Sequence, residues 1–328
     1  MRKIFFAVVL LCASAAMAQN ETTTAILQHG SDISLYKGIN AFVEAYTAAE
    51  DSDVITLSAG TFYSTPIAKS ISIYGAGCMD DSLTNMQLTR LTSGIALGQS
   101  GDTLRDIHLE GLYIQGALDF IANTPVENFY ICKCITGNLN FNSDLTNVTV
   151  SQCTTGTIQG TAANTANNLF IQNTVIGGVV QQFVLESSVL IDHCIIGGTT
   201  NRYTNIIACF TYKNSIFSAT DCGRDEYFFA RSGSVLYNCI YPTNTCYTSM
   251  SGDVVLHNCY GAGKWDIFTD RDNWIIAFPE TWVGTDDTEI GIHGGIGWNR
   301  APATPVINNL QLEVEGNTLN VSYDAEVR

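Results

Sequence analysis

This sequence predicts an all-β parallel β-helix, a solenoid of three-strand coils with about 20 residues per turn, and three observations predict it. Between Ile107 and Gly261 one phrase recurs: apolar, any, apolar, any, a turn-type residue, then Cys, Thr or Ser. The copies include Val148 to Cys153, Leu169 to Thr174, Val189 to Cys194, Phe210 to Ser215, Ser234 to Cys239 and Val254 to Cys259, with earlier ones ending at Leu112 and Cys134. Their sixth positions lie 22, 19, 21, 20, 21, 24 and 20 residues apart, a period that chance composition would not produce. No helical periodicity separates the copies, which excludes a leucine-rich repeat with its helical return.

The elements follow in order. Residues 1–18 join Arg2 and Lys3 to an apolar run from Ile4 to Leu11 and end Ala16-Met17-Ala18, the pattern of a secretory signal cleaved before Gln19. Residues 19–52 form an N-terminal cap. Within it Ile39, Phe42, Val43 and Tyr46 fall at helical spacing, so Leu35 to Ala49 reads as an amphipathic helix closing the solenoid's open end. Residues 53–263 are the β-helix. In the copy at Val189, alternation points Val189 and Ile191 inward and Asp192 outward, His193 bends the chain, and Cys194 and Ile196 point inward again. Leu118 with Phe120, and Leu139 with Phe141, supply a third strand. Residues 264–305 hold all four tryptophans, Trp265, Trp274, Trp282 and Trp298, and read as a C-terminal cap. Residues 306–328 alternate around Glu315-Gly316-Asn317 and predict a short terminal hairpin.

Two columns follow from the repeat. The bend column is Lys133, Gln152, Asn173, His193, Asn214, Asn238 and Asn258. Asn and His tolerate left-handed backbone angles, and stacked Asn side chains are expected to bond to the next rung's amide. Gly137, Gly156, Gly177 and Gly197 then read as corner glycines. The sixth-position cysteines Cys134, Cys153, Cys194, Cys239 and Cys259 stack inward as small apolar side chains, so free thiols are expected there. Adjacent rungs are about 4.8 Å apart, too far for the roughly 3.8 Å between Cβ atoms of a disulfide. Cys222 and Cys246 lie off the column and are the candidate bonded pair.

Charge narrows the partners. The chain has 15 Lys and Arg against 31 Asp and Glu, a net charge of −16 that deepens by two when Arg2 and Lys3 leave with the signal. Such a surface repels nucleic acid and anionic lipid, and it repels polyanionic glycans unless a basic patch or divalent cation intervenes. No later apolar run reaches the roughly 20 residues of a membrane span, so no membrane insertion is expected.

The run Asp53-Val-Ile-Thr-Leu-Ser-Ala-Gly-Thr-Phe-Tyr63, followed by Lys69-Ser-Ile-Ser-Ile-Tyr-Gly-Ala-Gly77, resembles the entry rung of secreted β-helix proteins of the pectin-lyase-like superfamily. Gly284 to Gly295, then Pro302 and Pro305, is similar to the ending of many such bacterial surface proteins. The resemblance implies a right-handed coil, a secreted or cell-surface location and a polysaccharide partner, with activities that range from lyase to adhesin. Val189-Leu-Ile-Asp-His193 resembles the Trp-Ile-Asp-His segment of calcium-dependent pectate lyases, with Leu190 where those carry Trp. Their calcium carboxylates and paired catalytic basic residues have no counterpart in this chain.

Register makes the residues two before each sixth position an outward column: Glu110, Cys132, Ser151, Gln172, Asp192, Lys213, Tyr237 and His257. Asp192, Lys213, Tyr237 and His257 span only about 15 Å, within reach of two sugar rings, and are the candidate glycan-contacting residues. Arg224 and Asp225 join them from a charged loop that also holds Asp221, Glu226 and Arg231 and expands one coil. Between Leu112 and Ile191 charges are few, so that half of the coil reads as chemically quiet. No cofactor is expected. Asp266, Asp270 and Asp272, and Asp286, Asp287 and Glu289, are acidic groups that offer a weak calcium signal, since neither set follows the 1, 3, 5, 12 ligand pattern with its glycine. The sequence lacks a Gly-x-Ser-x-Gly elbow, a phosphate loop and His-Glu-x-x-His. It is therefore read as a monomeric exported glycan-contacting protein, with a polysaccharide lyase or hydrolase, and a purely structural adhesin, as the alternatives.

Overall fold

The computed structural model describes residues 23–81, 86–161, 163–184, 187–197, 210–218, 233–242, 254–262, 267–301, 306–315 and 318–326. The segment 1–18, Trp265, Asp266 and the loop holding Arg224 and Asp225 lie outside these residues, as do Cys222 and Cys246. Parallel strands stack into a β-solenoid of about eight turns of about 21 residues, and one helix occurs among the described residues. No helix among them is long and apolar enough to cross a membrane.

Three faces make the coil. The long face is a 12-stranded sheet, and a second, five-stranded sheet runs from Ile95–Leu97 to Val180–Gln181. The third face begins with Gly60–Phe62, Thr89–Leu91 and Tyr113–Ile114, and passes through bridges at Ile135 to a six-stranded group ending at Tyr260–Ala262. Register on the long face agrees with the sequence period: Glu110, Cys132, Ser151, Gln172, Asp192, Lys213, Tyr237 and His257 are successive cross-strand partners, and Tyr74 extends the row by one coil.

The bend column has the backbone its residue types allow. Lys133, Gln152, Asn173, His193, Asn214, Asn238 and Asn258 all have φ between 43° and 52°, the left-handed region. Directly after the bend, Cys134, Cys153, Thr174, Cys194, Ser215 and Cys239 are fully buried. They are more than small apolar fillers. Thr174 Oγ1 donates to the Gln172 carbonyl at 2.8 Å, Ser215 Oγ to that of Lys213 at 2.6 Å, and the Cys153 and Cys194 thiols reach back two residues in the same way. The site therefore selects a compact donor, which explains why Ser, Thr and Cys alternate there.

All seven described cysteines are free thiols. Cys259, at the last described coil, is the only one not buried, and a hydrogen bond from Cys239 holds its thiol below the usual range while burial pushes Cys239 up. Iodoacetamide at neutral pH is expected to modify Cys259 ahead of Cys134, Cys153, Cys194 and Cys239. Peptide mapping that found equal rates down the column would contradict this.

Inside, Phe120 lies 4.7 Å from Phe141 between ring centroids, and Phe141, Phe183 and Phe210 continue the row at 6.4 and 6.1 Å. Outside, side-chain amides bond from coil to coil. Asn128 donates to Asp106, Asn147 to Asn128 and Asn168 to Asn147, at residues whose own φ is positive. A second ladder joins Asp119, Asn140, Gln159 and Gln181. The amide ladders thus sit at these positions and not at the bend. There the Asn173, Asn214 and Asn238 side chains point to a different part of the chain.

The N-terminal end differs from the expected helix. Strand β1 (Thr24–His29) pairs antiparallel with β2 (Asp32–Lys37) on one side and with β3 (Val54–Leu57) on the other. The first parallel strand has an open row of backbone groups, and β1 satisfies it. Helix α1 is shortened to Ala41–Ala48, with Phe42 and Tyr46 buried, while Leu35 belongs to β2 and Ile39 is exposed. Gly38, at φ 95°, separates strand from helix.

The larger difference is at the other end. Segment 282–298 runs back along the bend column as a strap. Asn238 Nδ2 donates to the Val283 carbonyl, Asn214 pairs with Thr285 through both side-chain atoms, His193 meets Thr288, Asn173 reaches the Ile292 and Gly294 carbonyls, and Gln152 that of Gly297. The backbone lies so close that a Cβ on Gly294 would fall on the Glu289 carbonyl oxygen and against the His193 ring. Under the strap a second core joins outward-facing Val175, Ile195, Ile216 and Ile240 to Ile267, Ile276, Ile290 and Ile292. Trp274, Trp282 and Trp298 pack against that core on the flank. The C-terminal strands Val306–Glu315 and Thr318–Glu326 form the antiparallel hairpin.

The glycines also divide. Gly137 has no positive φ, but a Cβ on it would sit 2.9 Å from the Gly116 backbone of the coil before, so close stacking of coils requires it. Gly177 and Gly197 would meet only ordinary contacts, and no corner conformation demands glycine at either.

Candidate functional site

The outward row on the long sheet is where the predicted residues meet. Asp192, Lys213, Tyr237 and His257 are cross-strand neighbours in that order. Tyr237 and His257 stack face to face, with centroids 4.6 Å apart and planes 9° from parallel, and the Lys213 ammonium lies 6.0 Å from the Tyr237 ring. The result is a two-ring stack whose facing sides cover each other, with the Lys213 cation on the strand at the other side of Tyr237. Arg224 and Asp225 lie outside the described residues.

Asp192 has a different role from its three neighbours. Its Oδ1 lies 2.9 Å from His193 Nδ1 and accepts from Asn214 Nδ2 at 3.0 Å. His193 is buried and its Nε2 turns to Thr288 and Asp286 of the strap. Asp192 and His193 therefore join coil to strap, which gives this Asp-His pair a structural role. The carboxylates suited to calcium also hold turns: Asp270 accepts from the Asp272 and Asn273 amides, and Asp286 from Thr288. Asp286 is consequently held below the usual carboxylate range, its hydrogen bonds from Thr288 outweighing its partial burial.

The other end of the row is not quiet. His108 Nε2 donates to Glu110 Oε2 at 3.1 Å, the Lys133 ammonium lies 3.4 Å from Glu110 Oε1, and Cys132 Sγ is 4.0 Å from His108 Nε2. The imidazole is held between Tyr74 and Tyr130, at centroid distances of 4.9 and 4.8 Å. Glu110 and Cys132 are buried. Burial, and then the Glu110 carboxylate, push the Cys132 thiol well above its usual range. Burial likewise raises Tyr130, whose hydroxyl is within hydrogen-bonding reach of Cys132 and Ser151.

The sequence reading had Glu110 and Cys132 as column members but missed this convergence. The signal was present. His108 and Glu110 are two apart on one strand and so share a face, and the period makes Tyr130 and Cys132 their partners on the next coil. Few charges in the stretch concealed a cluster that a single buried carboxylate organises.

No protein-family model, curated protein or solved structure matches this chain.

Proposed function

We propose that this chain is an exported β-helix protein of the pectin-lyase-like type, which binds polysaccharide along the outer face of its long sheet and does not cleave it. The observation that carries the proposal is the in-register row of Lys213, Tyr237 and His257, which lines up a cation, a phenol and an exposed imidazole along the coil. These groups offer a glycan polar tips, ring edges and the outer face of His257, and parallel coils repeat at about 4.8 Å, so an extended chain meets equivalent positions as it crosses the strands. The engagement of Asp192 by His193 and Asn214 supports binding over catalysis, because it removes the carboxylate beside Lys213 from proton transfer. The signal-type pattern of residues 1–18 supports export to the cell surface or beyond. The net charge of −16 favours a neutral glycan. The protein acts as a monomer in this reading.

Retention on a panel of immobilised polysaccharides tests it. One glycan or more is expected to retain the protein, and Tyr237→Ala and His257→Ala are each expected to weaken retention roughly fivefold, from about 1 kcal/mol of lost ring contact. Unchanged retention in both variants would remove this row as the binding face. New unsaturated or reducing ends would instead establish a lyase or hydrolase.

A further inference from the structure

A metal centre is the inference the long face carries furthest. We propose that His108, Glu110 and Cys132 form a binding site for a divalent transition metal of the zinc class, independent of any glycan on the Tyr237 row. The three ligand atoms lie within 4.8 Å of one another. A tetrahedral zinc ion with bonds of about 2.0 Å to nitrogen and oxygen and about 2.3 Å to sulfur separates its ligand atoms by roughly 3.3 to 3.6 Å. The His108 to Glu110 and His108 to Cys132 separations, 3.1 and 4.0 Å, bracket that range. The third pair, Glu110 and Cys132, lies within 4.8 Å, so these side chains close by up to about 1.2 Å to meet one ion.

The donor set selects the metal. One imidazole, one carboxylate and one thiol suit zinc, cobalt(II) or nickel(II), whereas calcium and magnesium take oxygen ligands. The surroundings also fit. His108 and Glu110 come from one strand and Cys132 from its register neighbour, so the rigid backbone of two coils places all three. Tyr74 and Tyr130 hold the imidazole from either side. Lys133 lies 3.4 Å from Glu110 Oε1, and Oε2 is the oxygen beside His108 that would ligate. On binding, the imidazole carries its proton on Nδ1, Nε2 and the thiolate bond the metal, and the thiol proton passes to solvent. His108 remains partly exposed, so the fourth position opens to the outer face of the sheet.

Lys133 opposes the ion. Its ammonium already neutralises Glu110, and its charge repels a second cation nearby. This makes Lys133→Gln a discriminating variant, since a metal site gains from it while an ordinary structural Lys–Glu pair does not.

The experiment titrates cobalt(II) into the full exported chain with its thiols kept reduced by a phosphine. The expected result is one equivalent bound with a thiolate-to-cobalt charge-transfer band and the intense visible bands of tetrahedral cobalt, displaced by zinc but not by calcium. Cys132→Ser is expected to abolish the charge-transfer band, and His108→Ala to weaken binding more than about 100-fold, beyond the 10- to 100-fold that outer-shell partners cost. Lys133→Gln is expected to tighten binding about tenfold. Thermal unfolding of each variant without metal establishes that it folds. A band that survives in folded Cys132→Ser, weakening in Lys133→Gln, or no stoichiometric binding to the parent protein would each overturn the site.

Discussion

Replacing Phe141 by alanine is expected to lower the unfolding free energy by about 3 to 5 kcal/mol. Phe141 is fully buried, and it sits in the middle of the aromatic row, 4.7 Å from Phe120 of the coil before and 6.4 Å from Phe183 beyond. Its strand is in register with that of Phe120, so both rings project from equivalent positions and neither coil can move inward without the other. A cavity there remains open, which places the loss at the upper end for a buried side chain. Because a solenoid is held by nearest-neighbour interfaces, weakening one of them is also expected to broaden the transition, as coils on either side begin to unfold separately. Urea unfolding followed by fluorescence and by circular dichroism measures both effects. A loss below about 1 kcal/mol would show that the ring is not a packed contact between coils.

Replacing Asn173 by alanine is expected to cost about 2 to 4 kcal/mol and to release the strap. Asn173 is buried, has φ 43°, and donates to the Ile292 and Gly294 carbonyls at 2.8 and 2.7 Å. Alanine leaves both carbonyls without these donors, at about 1 to 3 kcal/mol, and a left-handed alanine adds about 1 kcal/mol of strain. Asn173→Gly separates the two contributions, since glycine relieves the strain and restores no hydrogen bond. Asn173→Ala is expected to speed amide exchange and proteolysis across residues 283–297, with strands of the long sheet still protected. Equal protection of that segment in parent and variant would show that the strap is held by its apolar contacts alone.

The strap shows why some of this architecture was visible in the chain and some was not. Alternation and period belong to each coil by itself, so the register row from Glu110 to His257, the inward column from Cys134 to Cys239 and the left-handed bends at Asn173, Asn214 and Asn238 were all legible. What docks on a bend depends on residues more than a hundred positions away, as with Asn173 and Gly294. One local sign was present. Val175-Ile176, Ile195-Ile196 and Ile216-Phe217 are apolar on both faces of their strands, and such strands are covered on both. Gly294 and Gly295 carry no such sign in the sequence, and their contact with His193 shows close backbone approach. The hairpin of β1 and β2 escaped notice for a related reason. Helical spacing from Ile39 to Tyr46 was real, but the edge of β3 took Thr24–His29 as a strand, and Asp32–Lys37 paired beyond it.

The same division separates the two ends of the outward row. Asp192, Lys213, Tyr237 and His257 were readable because equal spacing on parallel coils dictates vertical alignment, whatever the side chains do. Their differing roles were not readable, because His193, Asn214 and the strap decide that Asp192 is tied down while Tyr237 and His257 stack. At the other end, His108, Glu110, Cys132 and Lys133 meet only once one strand's face, its neighbour's register and a left-handed bend combine. By itself the sequence determined that the chain coils, with what period, and which residues share a row, because these are consequences of local backbone periodicity. Only the tertiary structure decided which row members are buried, paired or free, because burial depends on what packs over a face, and here that is a strap brought back from the far end of the chain.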